Sequence, residues 1–206
     1  MLHIGLTGGI ASGKSTVASM LRDRDCLVLE ADSLGHELLE PEQASYDEVV
    51  RVFGKEILDA DGMVDRGKLG AIVFSDPRRR ALLDGILHPR ILEIVRQWFA
   101  MLERPGGPEL AVVEAALIIE AGYHKELDRV IVCWCRHDQQ VERLVERGLS
   151  VDEAEQRIAA QWPIDQKRRM ADEVIDCSGA IEATERQVGS VFEKVKQLAA
   201  SHRSLG

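Results

Sequence analysis

An α/β fold, built on a five-stranded parallel sheet with helices on both faces, is predicted for this 206-residue chain by three observations. Five short apolar runs rich in Val and Ile alternate with longer helical patterns, as strands buried on both faces do. A glycine-rich turn directly follows the first run and opens a helix. The hydrophobic content, 45%, supports one ordinary core, and the chain shows no internal repeat and no low-complexity segment.

The strands are expected at His3 to Thr7, Cys26 to Glu30, Leu110 to Ala115, Arg129 to Cys135 and Glu173 to Cys177. Right-handed crossovers then bring their C-terminal ends, and with them the site, to one edge of the sheet. Lys14 to Arg24 reads as the first helix, with Val17, Met20 and Leu21 on one face. Asp76 to Glu103 reads as a long helix broken near Pro89, because proline removes a backbone donor and clashes with the preceding turn. "RPGGP", residues 104–108, is a turn-rich connector into the third strand. Residues 137–171 are highly charged short helical patterns, and Ile181 to Ala200 reads as a closing amphipathic helix.

Charge narrows the function classes. The formal net charge is -9 and no block of lysines and arginines stands out, which disfavours nucleic acid as a partner, since that needs a basic face to displace counterions. Arg78-Arg79-Arg80 and Lys167-Arg168-Arg169 read as local solvated faces or anion contacts. Met1 to Gly5 leads straight into a strand without a signal-peptide pattern, and no apolar run reaches membrane-span length. The expectation is a soluble, cytoplasmic protein with no membrane partner. Cys133 and Cys135 alternate on one strand face and Cys26 and Cys177 stand apart, without zinc-type spacing, so all four read as buried reduced thiols.

The glycine-rich turn carries the chemistry. Gly8, four residues, Gly13, Lys14 and Ser15 fit G-x-x-x-x-G-K-[ST], the phosphate loop of P-loop nucleotide-binding proteins. Gly8, Gly9 and Gly13 let successive N–H groups, including those of Ala11 and Ser12, turn toward one anion at a helix N-terminus. Lys14 supplies charge for the β- and γ-phosphates, Ser15 is placed to ligate Mg²⁺, and Thr16 can donate to the α-phosphate. The implied co-substrate is ATP with Mg²⁺. The guanine-reading N-K-x-D of a switch GTPase is absent, and no strand ends in the Asp-Glu of a mechanical ATPase; Glu114, in "AVVEAALIIE", is the nearest acidic strand end.

A small-molecule kinase needs a carboxylate near the acceptor hydroxyl and basic residues over the phosphates. Asp32, just past the second strand, is either that carboxylate or the N-cap of a helix starting at Ser33. Arg143 and Arg147, four apart, either clamp phosphates together or belong to a solvated face paired with Glu142 and Glu146. A different kinase acceptor on the same fold, and a regulatory ATPase without one, are the competing readings.

"IGLTGGIASGKSTV", "EADSLGHELL", "DGMVDRGKLGAIVF", "LHPRI", "LIIE", "QVERLVERGLS", "RIAAQ" and "ADEVID" occur in this order along nearly the whole chain. Together they make the sequence resemble the dephospho-coenzyme A kinase family. The resemblance implies ATP-dependent phosphorylation of the ribose 3′-hydroxyl of dephospho-coenzyme A, the last step of coenzyme A biosynthesis. It implies that Asp32 is the catalytic carboxylate, that His88 lies in the acceptor pocket, that Arg143 and Arg147 belong to a phosphate-covering lid, and that Gln161 is the lid glutamine. The corresponding division is a core (about 1–32, 108–136 and 172–206), a helical acceptor-binding insert (about 33–107) and a lid (about 137–171). The family usually has glycine where Ala11 stands, aspartate in place of Glu30 and of Gly148, a Pro-Leu-Leu where Ala116-Leu117-Ile118 stands, and an asparagine near adenine in place of Cys177. Ala11 fits the loop only with a negative φ.

Overall fold

The computed structural model describes residues 1–203, with side chains through residue 201. In chain order the elements are β1 (Leu2–Gly8), α1 (Lys14–Arg22), β2 (Leu27–Glu30), α2 (Ala31–Glu37), α3 (Tyr46–Phe53), α4 (Arg66–Ser75), α5 (Pro77–Leu102) and β3 (Leu110–Glu114). They continue as β4 (Arg129–Trp134), α6 (His137–Glu146), α7 (Val151–Ala159), α8 (Ile164–Arg168), β5 (Glu173–Asp176) and α9 (Ile181–Arg203). All four strand pairings are parallel and the order is β2-β3-β1-β4-β5. The expected five-stranded parallel sheet is therefore present. β1 runs between β3 and β4, so the chain reverses its winding at the end of β1, where α/β sheets open a crevice for ligands.

Alternation along the strands divides the core in two. Leu2, Ile4 and Leu6 of β1, Leu110 and Val112 of β3, and Ile131 and Cys133 of β4 pack with Val17 and Leu21 of α1 and Val188, Val191 and Val195 of α9. Val130 and Val132 point the opposite way and pack with Ile119 and Ile164. At the other end of that face His3 stacks on Phe99 of α5, with ring centroids 4.1 Å apart. Strands buried on both sides need such continuous apolar runs, which is why they are conspicuous in the sequence.

The described chain divides into two compact units, Ala31–Arg96 and the remainder. The Ala31–Arg96 unit has its own cluster, in which Val49 and Ile57 are fully buried and Phe53, Leu69 and Val73 nearly so. Its turns are built by aspartates. Asp59 Oδ1 accepts the N–H groups of Asp61 and Met63, and Asp65 caps α4 by accepting from Gly67 and Lys68. The Asp-Gly-x-x-Asp-Arg segment is thus a turn followed by a helix cap. α5 departs from expectation, since Pro77–Leu102 is one helix with Pro89 inside it. Leu87, Ile91 and Ile94, on both sides of the proline, all join the same cluster, and that burial outweighs one missing backbone bond.

Among the described residues no helix is long and apolar enough to cross a membrane. Replacing Phe53 by Ala should remove about 3–5 kcal/mol of stability from the Ala31–Arg96 cluster, seen as a lower urea midpoint and as early loss of amide-exchange protection there.

Candidate active site

Gly8 ends β1 and Lys14 begins α1, so the five residues between them must reverse the backbone in the crevice. Close packing makes glycine necessary at two positions. A Cβ on Gly8 would lie 2.7 Å from the Cys133 carbonyl oxygen, and Gly13 has φ +99° with a Cβ position 2.8 Å from that of Cys177. Ser12 is buried, its Oγ against Gly8. Ser15 and Thr16, in the first turn of α1, are exposed. The first N–H groups of a helix have no acceptor within it, which leaves the N-terminus of α1 with donors that suit an anion.

Ala11 overturns its expectation: its φ is +59°, in the left-handed region. Two donors explain why the strain persists. The Ala11 carbonyl accepts Arg143 Nη1 at 3.0 Å and Cys135 Sγ at 3.7 Å, and those contacts hold the peptide where an alanine would not turn by itself.

The neighbouring loop residues are held in the same manner. Ile10 donates its N–H to Gln161 Oε1 at 2.8 Å, and its carbonyl accepts Gln140 Nε2 at 2.6 Å. The Gly8 carbonyl accepts Lys167 Nζ at 3.4 Å. Lys167 corrects the reading of residues 167–169 as a solvated or anion-binding face, because it has no exposed surface. α8 packs on β4, which turns this lysine inward while Arg168 covers the Trp134 ring at 4.5 Å. Inside, Lys167 Nζ also donates to the Ala116 carbonyl at 2.8 Å and pairs with Glu120 at 2.7 Å. Glu120 Oε1 accepts the Trp162 N–H at 3.2 Å as well.

Lys14 Nζ bonds to Glu114 Oε1 at 2.7 Å, and Ser15 Oγ approaches the same oxygen at 3.4 Å. Glu114 ends β3, is nearly inaccessible to solvent, and stands beside Leu6 in the register of β1. Arg143 reaches the loop from α6 and also donates to the Cys177 carbonyl at 2.8 Å. Arg147 lies one residue beyond α6 and is exposed. The two arginines line a cavity of about 320 Å³ together with Gly13, Thr16 and Cys177.

In the Ala31–Arg96 unit, α2 begins at Ala31, so Asp32 is in its first turn and is not the N-cap of a helix starting at Ser33. Asp32 is exposed. One turn on, burial and the Arg66 guanidinium hold His36 below the usual imidazole range, with Asp32 opposing them. His88 Nε2 lies 3.6 Å from Asp84 Oδ1 within α5.

The sequence assigns no role to Gln140 or Glu120 and places Lys167 in solvent. Polarity is the only signal these residues carry, and solvent-facing residues share it.

The sequence profile of the dephospho-CoA kinase family matches residues 2–183. The chain belongs to that family. A dephospho-CoA kinase of Anaeromyxobacter dehalogenans is 46% identical over 184 residues, 89% of this chain and 87% of that one. Its counterpart in Symbiobacterium thermophilum is 43% identical over 193 residues, 93% and 80% of the two chains. A crystal structure of a Thermus thermophilus protein superposes with TM-score 0.78 at 33% identity, covering 94% of this chain and 97% of that one.

Ala11→Gly should relieve the left-handed strain and raise stability by about 0.5–1 kcal/mol after glycine's added unfolded-state entropy, read as a Tm increase of a few degrees. Lys167→Met should leave Glu120 without its cation and cost about 3–5 kcal/mol in urea denaturation, whereas Arg168→Met should cost about 1 kcal/mol or less.

Proposed function

We propose that the chain transfers the γ-phosphoryl group of ATP to the ribose 3′-hydroxyl of dephospho-coenzyme A, releasing coenzyme A and ADP. One observation carries the phosphoryl-transfer half of this reading: Lys14 and Ser15, at the start of α1, converge on the buried Glu114 carboxylate at the mouth of the loop. The acceptor half rests on family membership.

In this mechanism the backbone N–H groups of Gly8 to Thr16 cradle the phosphates, and Lys14 neutralises charge that accumulates on the β,γ-bridging oxygen. The acceptor oxygen bonds to the γ-phosphorus as the bond to ADP breaks. Asp32 takes the hydroxyl proton. Arg147, exposed at the cavity, and Arg143, beside it, cover the transferring group and exclude water that would otherwise accept it. Gln161, through Ile10, keeps the loop closed while this happens. His88 and the Ala31–Arg96 unit bind the acceptor.

The oxygen donors at Ser15 and Glu114 suit a hard divalent cation such as Mg²⁺. No cluster of three or more His, Cys, Asp or Glu side chains able to hold a metal occurs among the described residues, which fits a cation carried largely by the triphosphate. When bound, Mg²⁺ supplies Lewis-acid neutralisation of the β- and γ-phosphate oxygens.

ADP formation with Mg·ATP should rise strongly on addition of dephospho-coenzyme A, and Asp32→Asn should lower that stimulated rate about 10²–10⁴-fold with little change in ATP affinity. A rate indifferent to the acceptor would refute the kinase reading, and a fully active Asp32→Asn would refute the role given to that carboxylate.

A further inference from the structure

Two cavities flank the phosphate loop, one toward each end. The cavity beside Gly13 and Thr16 is lined by Arg143 and Arg147, which suits anionic groups. The other, of about 370 Å³, has Gly9, Gln140, Ile158, Gln161, Trp162 and Ile164 in its walls. That volume falls in the range of small-molecule sites, about 300–1,000 Å³. Among the described residues no lysine or arginine lines it, and its charged members are matched, His137 with Glu155 at 2.9 Å and Asp165 with Arg168 at 3.3 Å. A neutral group suits these walls better than a second phosphate, which would lose its water without gaining a cation.

Two glutamines narrow the choice further. Both hold the Ile10 peptide, and the backbone fixes which end of each amide does so. The Ile10 N–H must meet an oxygen, so Gln161 uses Oε1 and retains Nε2; the Ile10 carbonyl must meet an N–H, so Gln140 uses Nε2 and retains Oε1. Neither Gln161 Nε2 nor Gln140 Oε1 has a hydrogen-bond partner among the described residues. Gln140 is only 2% exposed, and a buried acceptor left without a donor costs about 1–3 kcal/mol. A Cβ on Gly9 would lie 2.6 Å from Gln140 Nε2, so glycine is what admits this amide against the loop. Trp162 adds a ring that is 39% exposed, and Ile158 and Ile164 add aliphatic surface. One acceptor and one donor on a shared peptide, between apolar walls, match a flat heterocycle whose edge sets an amino group beside a ring nitrogen. The N6 amino group and N1 of adenine form such an edge.

We propose that this cavity receives the adenine of dephospho-coenzyme A, with Gln140 Oε1 accepting from the N6 amino group and Gln161 Nε2 donating to N1. The assignment rests on the acceptor reading given above. Thr16, at the α1 end of the loop, is placed for the α-phosphate, so the Gly9 end lies toward the γ-phosphate. The reacting 3′-hydroxyl sits on the ribose that carries the adenine, which keeps the base within one nucleoside of the γ-phosphorus. The amides of the pantetheine arm stand beyond a diphosphate and do not meet that condition. A base seated here completes the hydrogen bonds of the two side chains that hold Ile10, so acceptor binding and loop geometry are coupled.

The test uses the native full chain with dephospho-coenzyme A and its hypoxanthine analogue, in which an oxygen replaces the amino group and N1 carries a proton. Both changes oppose the glutamines, so kcat/KM for the analogue should be at least about 10²-fold lower, and its equilibrium binding in saturating ADP weaker by a similar factor. Dephospho-coenzyme A carrying 8-azidoadenine should, on irradiation, label tryptic peptides 137–143 and 158–167, which contain the two glutamines. Gln161→Glu retains the oxygen that meets the Ile10 N–H but turns the donor into an acceptor. The preference for adenine over hypoxanthine should then shrink at least about tenfold, whereas a merely structural glutamine would change both substrates alike. The first two readouts need no variant. Equal use of the two bases, labelling confined to residues 31–96, or an unchanged preference in Gln161→Glu would overturn the site. Base-selective binding without phosphoryl transfer would uphold the site and count against the kinase reading, and no binding of dephospho-coenzyme A at all would overturn both.

Discussion

A phosphate loop must keep its peptides turned toward an anion in a conformation that the chain does not favour by itself, and here side chains from the segment between β4 and β5 impose it. Lys167 takes the Gly8 carbonyl, Gln161 and Gln140 take the two sides of the Ile10 peptide, and Arg143 takes the Ala11 carbonyl. Each hydrogen bond is worth only about 1 kcal/mol net, but four of them on Gly8, Ile10 and Ala11 leave the loop little freedom. That restraint is what makes an alanine at φ +59° tolerable. A preorganised loop meets a triphosphate without first spending binding energy on its own ordering.

The same segment joins the loop to the sheet through a buried charge. Lys167 is stable in the interior because Glu120 and two backbone carbonyls replace its water. Glu120 also receives the Trp162 N–H, next to Gln161. Residues 161–167 are thus tied to the loop at Gly8 and Ile10 and to the stretch after β3 at Ala116 and Glu120. Glu114, at the end of β3, holds Lys14 and Ser15 on the opposite side of the crevice. The carboxylate at position 114 and the one at 120 therefore serve two different lysines, and both pairs converge on the short stretch between β1 and α1.

The strands, the loop and the first helix were legible because their signals are local. Alternating burial requires apolar runs, and a turn that binds phosphate requires glycines at fixed spacing before a lysine and a hydroxyl. Of the two readings of Asp32, the N-cap fails because the helix continues directly from β2 and begins at Ala31, two residues before Ser33. Pro89 was read as a break because the rule for proline counts one lost bond and one clash, and cannot count the cluster that Leu87, Ile91 and Ile94 join. Lys167 was placed in solvent because lysine is so rarely buried that only its partners reveal it.

By itself, then, the sequence determined the parallel α/β architecture, the phosphate loop and the family, since each depends on residue type at short, fixed spacing. Only the tertiary structure decided which polar side chains hold that loop. Gln140, Gln161 and Lys167 lie more than a hundred residues from the peptides they bind, and Glu114 about a hundred from Lys14. Such pairings follow from which strands adjoin β1 and which helix packs over β4, and that is set by the burial of the whole sheet. The left-handed turn at Ala11 has the same origin, because its cost is local and the contacts that offset it are not.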